Sequence, residues 1–168
     1  QYPAVVIDVR RIPSRQMAQE VLLRSVDIDM LTFNPPEREL QSVVIGIDEL
    51  VLLVRPDHPL AGRAQVTMEE MGEQIVIAHN DPSPTRDRVL RMYEQRHAPL
   101  NIKLALPSLD GIKRAVEMGL GVALLPRRCA LGEITRGDLV EIQVPELRSP
   151  RQVRLVYRLH KRALRTIG

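Results

Sequence analysis

The chain has 168 residues, 44% apolar and 27% charged, which suits one ordinary domain or two small lobes with a real core and a solvated surface. No run of about 18 apolar residues exists to span a membrane as a helix, and Gln1-Tyr2-Pro3 lacks the basic start and apolar stretch of a signal peptide. Net charge is +3, with lysine only at 103, 113 and 161 and the arginines spread among 21 acids; with 2% aromatics and no Trp, this reads as a mixed-charge surface, not a single-strand nucleic-acid platform.

Having no initiator Met, the chain reads as a piece cut from a longer protein. Ala4 to Val9 (AVVIDV) is β-branched and reads as a strand. Ser14 is placed to cap a helix running to about Arg24, with Met17, Val21 and Leu22 on one face. Asp27 to Leu31 is a second strand, and Pro35-Pro36 excludes regular structure after it. Leu40 to Ile47 and Glu49 to Arg55 are two more strands that part near Asp48. Thr67 with Glu70 three residues on forms a capping-box pattern at the start of a short helix. Gln74 to His79 reads as a buried strand and Asn80 to Pro84 as a polar loop. Pro84 or Thr85 opens a helix to about Arg96, and Asn101 to Leu106 is a strand. Ser108 caps a helix from Leu109 to Met118 that Gly119 ends. Val122 to Leu125, Leu139 to Val144 and Gln152 to Tyr157 are the last strands. Alternation of strands and helices in the middle of the chain predicts α/β architecture with a mostly parallel sheet, and ligands of such sheets sit beyond the carboxyl ends of strands.

Catalytic and metal chemistry find little support. The four histidines, His58, His79, His97 and His160, have no i, i+4 spacing, and there is no CxxC, P-loop, GxSxG or GxGxxG. Cys129, the single cysteine, allows no intramolecular disulfide, fits a reducing cytoplasm, and reads as a small packing residue. Asp27 and Asp29 alternate along their strand and read as solvated strand-edge carboxylates, not an acid–base pair. No cofactor is expected.

Ligand binding has better candidates. Thr32-Phe33-Asn34, Asn80 to Arg86, and Gly121-Val122-Ala123 are segments next to strands that carry small or polar groups. The second runs into a helix N-terminus, whose free N–H groups and positive dipole end suit a carboxylate. Thr85 fits there as a ligand contact or a plain capping residue. Arg86 fits as a bidentate partner or a solvated side chain. Ser108 caps the next helix and serves either way.

The string DELVLLVRPDHPLAGRAQVTMEEM (Asp48 to Met71) resembles a strand, a His-Pro-Leu-Ala turn and a short helix of a known family. PSLDGIKRAVEMGLGVALLP (Pro107 to Pro126), GDLVEIQV (Gly137 to Val144), YPAVVIDV (Tyr2 to Val9) and SVDIDML (Ser25 to Leu31) match its further segments, in order over nearly the whole chain. The family is the LysR-type transcriptional regulators, and the resemblance is to their effector-binding region. It implies a fold like the type 2 periplasmic binding proteins, two α/β lobes joined by crossing strands with a small molecule in the cleft. Residues 1–47, with 159–168 returning, would form an incomplete first lobe, and 48–158 the second.

The resemblance further implies effector sensing in the cytoplasm rather than catalysis, with a carboxylate metabolite as effector. It implies DNA as partner through an N-terminal helix-turn-helix outside this chain, and a homodimer or tetramer without membrane contact. The helix from Ser14 to Arg24 would supply half of a dimer contact. Carried over residue by residue, the site is Thr32 and Asn34 on the first lobe, Asn80, Thr85, Arg86 and Val122 on the second, and Ser108 near the hinge-side floor. A periplasmic solute-binding protein of the same fold is the alternative.

Overall fold

The computed structural model describes residues 6–10, 12–13, 16–80 and 82–158. The chain divides into two compact units. Unit 1 runs up to Val44 and resumes at Arg154; unit 2 is Ile45–Val153.

Unit 1 begins with α1 (Met17–Leu22), whose buried residue is Val21. Gln16 stands at its N-cap with no side-chain hydrogen bond. The predicted cap, Ser14, lies outside the described residues, as do residues 159–168. Beyond the helix end at Leu22, Arg24 turns through φ 60°, while Arg158 donates to the Leu22 carbonyl at 2.9 Å. β1 (Ile28–Leu31) pairs antiparallel with β8 (Arg151–Arg158), Ile28 opposite Tyr157 and Leu31 opposite Arg154. β8 in turn lies beside β2 (Leu40–Asp48). Val21, Leu31, Leu40 and Val156 form the small core. Of the strand predicted over Ala4 to Val9, Ala4 and Val5 lie outside the described residues, and the rest does not behave as predicted. Val6 to Val9 are irregular, and Val6, Ile7 and Val9 are exposed. Propensity is a preference for a paired, half-covered surface, and no ladder partner is described for these residues.

Unit 2 is built around β3 (Leu50–Val54), buried at every position. The reason is that both its faces are covered. Leu52 and Val54 point into one core layer with Met68, Met71 and Tyr93. Val51 and Leu53 point into another with Ile112, Ala115 and Val116. The period of two in a strand thus delivers alternate residues to opposite helices. The first layer belongs to α2 (Met68–Glu73) and α3 (Pro84–Gln95), the second to α4 (Leu109–Glu117). Thr67 and Glu70 form the reciprocal capping box that the sequence suggests.

The strand directions correct the expectation of a mostly parallel sheet. β4 (Val76–His79) and β5 (Ile102–Leu106) are parallel, and Val76 makes a parallel bridge to Val122, just before β6 (Ala123–Pro126). However, β3 runs antiparallel to both its neighbours, β6 and β7 (Val140–Ile142). A buried apolar run carries no record of the direction of the strands beside it. A 3-10 turn over Arg127–Ala130 and α5 (Leu131–Arg136), neither evident in the sequence, follow β6. Lys113 of α4 ties this region down: its buried ammonium reaches Glu133 at 2.8 Å, Asp110 at 3.0 Å and the Cys129 carbonyl at 2.8 Å.

Candidate functional site

The first turn of α3 lies beyond the carboxyl ends of the parallel pair β4 and β5. The Asn80 N–H donates to the Leu106 carbonyl at 3.0 Å, which holds the loop after β4 against the end of β5. Ser83 then adopts an extended conformation and its Oγ accepts from the Arg86 N–H at 3.2 Å. Pro84 follows at the first helical position, where its missing N–H costs nothing. The N-cap is therefore Ser83, leaving Thr85 free of that duty. The Arg86 side chain folds back, and its Nη1 donates to the Asn80 carbonyl at 3.3 Å. Asn80, Thr85 and Arg86 are thus gathered around one helix terminus, which carries partial positive charge.

A residue that sequence reasoning missed completes the arrangement. Arg151, at the start of β8, donates from Nη1 to Thr85 Oγ1 at 2.8 Å. Its Nη2 lies 3.6 Å from Asp48 Oδ2, too far for a hydrogen bond but near enough to pair charges. The Arg151 side chain is only 13% exposed and that of Asp48 7%. Asp48 is held in turn: its Oδ1 accepts from the backbone N–H of Glu49 at 2.9 Å and of Arg128 at 3.3 Å. Burial makes the Arg151 guanidinium harder to protonate, the Asp48 carboxylate opposes this, and Arg88 adds like charge; guanidinium groups nevertheless remain cationic.

Nε and Nη2 of Arg151 and Nε of Arg86 are buried without a hydrogen-bond partner among the described residues. An unmade hydrogen bond at a buried donor costs about 1–3 kcal/mol, so packing stability does not explain why arginines stand here.

The other predicted residues divide. Ser108 Oγ accepts from the Gly111 N–H at 3.0 Å, so its visible role is to cap α4. Val122 is a core residue, fully buried, with its N–H on the Ile75 carbonyl at 2.8 Å and its carbonyl taking the Ile77 N–H at 2.8 Å. It presents no group to a ligand. In unit 1, Thr32 is exposed. Asn34 Oδ1 accepts from Ser42 Oγ at 3.0 Å, and Ser42 Oγ accepts from Arg154 Nη1 at 3.0 Å.

Asp29 departs from the solvated-edge reading. Its Oδ2 is buried without a hydrogen-bond partner among the described residues, and burial raises the carboxyl above its ordinary range, the Met30 N–H at 2.7 Å partly offsetting this. Asp27 stays exposed, so the two do not act as a pair. Burial likewise pushes the Cys129 thiol up to about 11. Among the described residues no group of three or more His, Cys, Asp or Glu side chains is placed to hold a metal ion, and no helix is long and apolar enough to cross a membrane.

The family model described as the LysR substrate binding domain matches residues 1–167. The uncharacterized HTH-type transcriptional regulator YeiE of Escherichia coli K12 is 32% identical over 161 residues, 96% of this chain and 54% of its own. The RuBisCO operon transcriptional regulator of Allochromatium vinosum is 28% identical over 138 residues, 82% of this chain and 46% of its own. The chain therefore spans about half the length of the curated relatives it matches. Among solved structures, the Synechocystis CcmR regulatory domain in complex with 2-PG superposes with a TM-score of 0.81 at 22% identity, covering 96% of this chain and 77% of that one. The effector binding domain of QuiR in complex with shikimate gives 0.71 at 14% identity, covering 87% and 68%. At these identities the structural likeness establishes the fold, that of the type 2 periplasmic binding proteins, and nothing finer.

Proposed function

The chain belongs to the LysR substrate binding domain family, and from that premise we propose that it binds a small anionic effector at the first turn of α3. The observation that carries the proposal is the convergence of Asn80, Thr85 and Arg86 on one helix N-terminus beyond the ends of β4 and β5. Carboxylate and phosphate oxygens are the acceptors such a terminus favours. Ser108 and Val122 drop to capping and core.

In the parent protein, effector binding controls transcription through a DNA-binding segment outside this chain. That protein is a cytoplasmic homodimer or tetramer and does no chemistry on its effector. The curated relatives named above are transcriptional regulators, which supports this reading over a solute-binding protein.

The test is a thermal-shift screen of small carboxylates and phosphate esters, with 2-PG and shikimate included because the CcmR and QuiR domains carry them. A ligand that binds only the folded state adds about 2.7 kcal/mol at a hundred times its Kd. The shift should disappear in Thr85→Val and persist in Ser108→Ala provided that variant is compared with its own ligand-free melting. No shift from any anion would defeat the proposal.

A further inference from the structure

We propose that Arg151 is the positioning residue of the α3 site: by donating to the Thr85 hydroxyl oxygen it leaves that hydroxyl as a donor toward the ligand, and so selects anionic, hydrogen-bond-accepting groups. The inference rests on the reading of α3 as the effector site.

A threonine hydroxyl has one proton and two lone pairs. Arg151 Nη1 occupies a lone pair of Thr85 Oγ1 at 2.8 Å. The hydroxyl proton must then rotate away from the guanidinium, which leaves a donor for whatever binds there. A ligand presenting a donor or a cation would meet the Arg151 charge, with the Thr85 oxygen already engaged. A ligand presenting a carboxylate or phosphate oxygen meets a hydroxyl donor, the positive end of α3 and a cation behind it.

The arginine is itself fixed at a second point. Asp48 Oδ2 lies 3.6 Å from Nη2, and two backbone N–H groups hold the other Asp48 oxygen. Asp48 ends β2 and Arg151 begins β8. Thr85 is therefore oriented from regular strands, the more exact kind of support for a binding group. The two buried nitrogens of Arg151 that have no hydrogen-bond partner among the described residues point the same way. A group kept in place at a cost in hydrogen bonding calls for a functional account, and orienting Thr85 supplies one.

The test follows the amides of Thr85, Arg86 and Asp87 in the 15N-labelled chain during titration with inorganic phosphate, and separately with methylammonium as the probe of opposite polarity. Wild type should show saturable shifts with phosphate and none with methylammonium. Arg151→Gln should weaken phosphate about tenfold or more, the scale of losing one charge-assisted arrangement. Arg151→Lys keeps a cation and a donor and should recover most of that affinity, which a purely structural role would not predict. If Arg151→Gln fails to fold, the Thr85 pair carries the test: Thr85→Val should lose phosphate and Thr85→Ser retain it. Phosphate affinity unchanged in folded Arg151→Gln overturns the role of Arg151 while leaving the site; phosphate affinity unchanged in Thr85→Val overturns both. Wild-type amides that ignore phosphate overturn the reading of the site, and this inference with it.

Discussion

Gly72→Ala sets two effects of known sign against each other. Gly72 lies inside α2, where alanine is the better helix former by about 1 kcal/mol. Packing opposes this. A Cβ at position 72 would sit 1.9 Å from the Pro99 carbonyl oxygen and 2.8 Å from Cε1 of Tyr93. Neither neighbour can yield cheaply. The Gly72 carbonyl accepts from the Asn101 N–H at 2.9 Å, which locks the Pro99 segment to the helix. Tyr93 is buried, with its hydroxyl donating to the Met68 carbonyl. Overpacking of this kind costs about 1–3 kcal/mol, more when backbone must move, and disturbing the tyrosine hydrogen bond adds about 1 kcal/mol. The net expectation is a loss of about 2 kcal/mol. With a urea slope of about 1–3 kcal/mol per molar, the unfolding midpoint should fall by about 1 M. Gly62→Ala is the control, since nothing lies within 4 Å of its Cβ position; its midpoint should stay the same or rise slightly. Tyr93 belongs to α3, so the clash should also disturb the site at the other end of that helix. A Gly72→Ala chain as stable as wild type would refute the packing argument.

Three further outcomes are expected. Lys113→Met should destabilise by about 1–3 kcal/mol, because it strands Glu133, whose side chain is 17% exposed, far more than the 92% exposed Asp110. The Lys113 hydrogen bond holds the Glu133 carboxyl below its ordinary range, while for Lys113 itself burial works to lower its protonation and the two carboxylates win and raise it. The pair therefore stabilises between about pH 4 and 10, and the gap between wild type and variant in urea midpoints should close as pH falls through the Glu133 transition; a constant gap would count against it. Asp29→Asn should raise the urea midpoint at pH 7, since a carboxyl raised by burial destabilises once ionised; the advantage should vanish below about pH 4, and a loss at neutral pH would contradict it. With its thiol pushed up to about 11, Cys129 should react with iodoacetamide at pH 8 far more slowly in the folded chain than in urea, and equal rates would show the thiol to be accessible and ordinary.

How far the sequence reveals the site depends on the range of the interaction. Ser83-Pro84 is a local signal, a capping residue before a proline, and a stricter reading of it would have moved the N-cap off Thr85 and left that hydroxyl free for other work. The Thr67–Glu70 box was legible for the same reason, being complete within four residues. Val122 shows the opposite case. A glycine-flanked segment looks like a binding loop, yet the backbone of Ile75 and Ile77 engages it from a strand far away in sequence. The direction of β3 is hidden likewise, since LVLLV buried on both faces reads the same whichever way its neighbours run.

Arg151 is the sharpest instance. It is one arginine among many, 66 residues from Thr85 and, through Asp48, tied to the far end of another strand. Nothing local distinguishes it from a solvated surface charge. What distinguishes it is physical: a cation largely taken out of water, with two buried nitrogens that find no hydrogen-bond partner among the described residues. That imbalance is created by the fold and exists only once β2, β8 and α3 have been brought together. The donors of the proposed site are therefore named one by one from local signals in the chain, while the polarity proposed for them rests on long-range pairing.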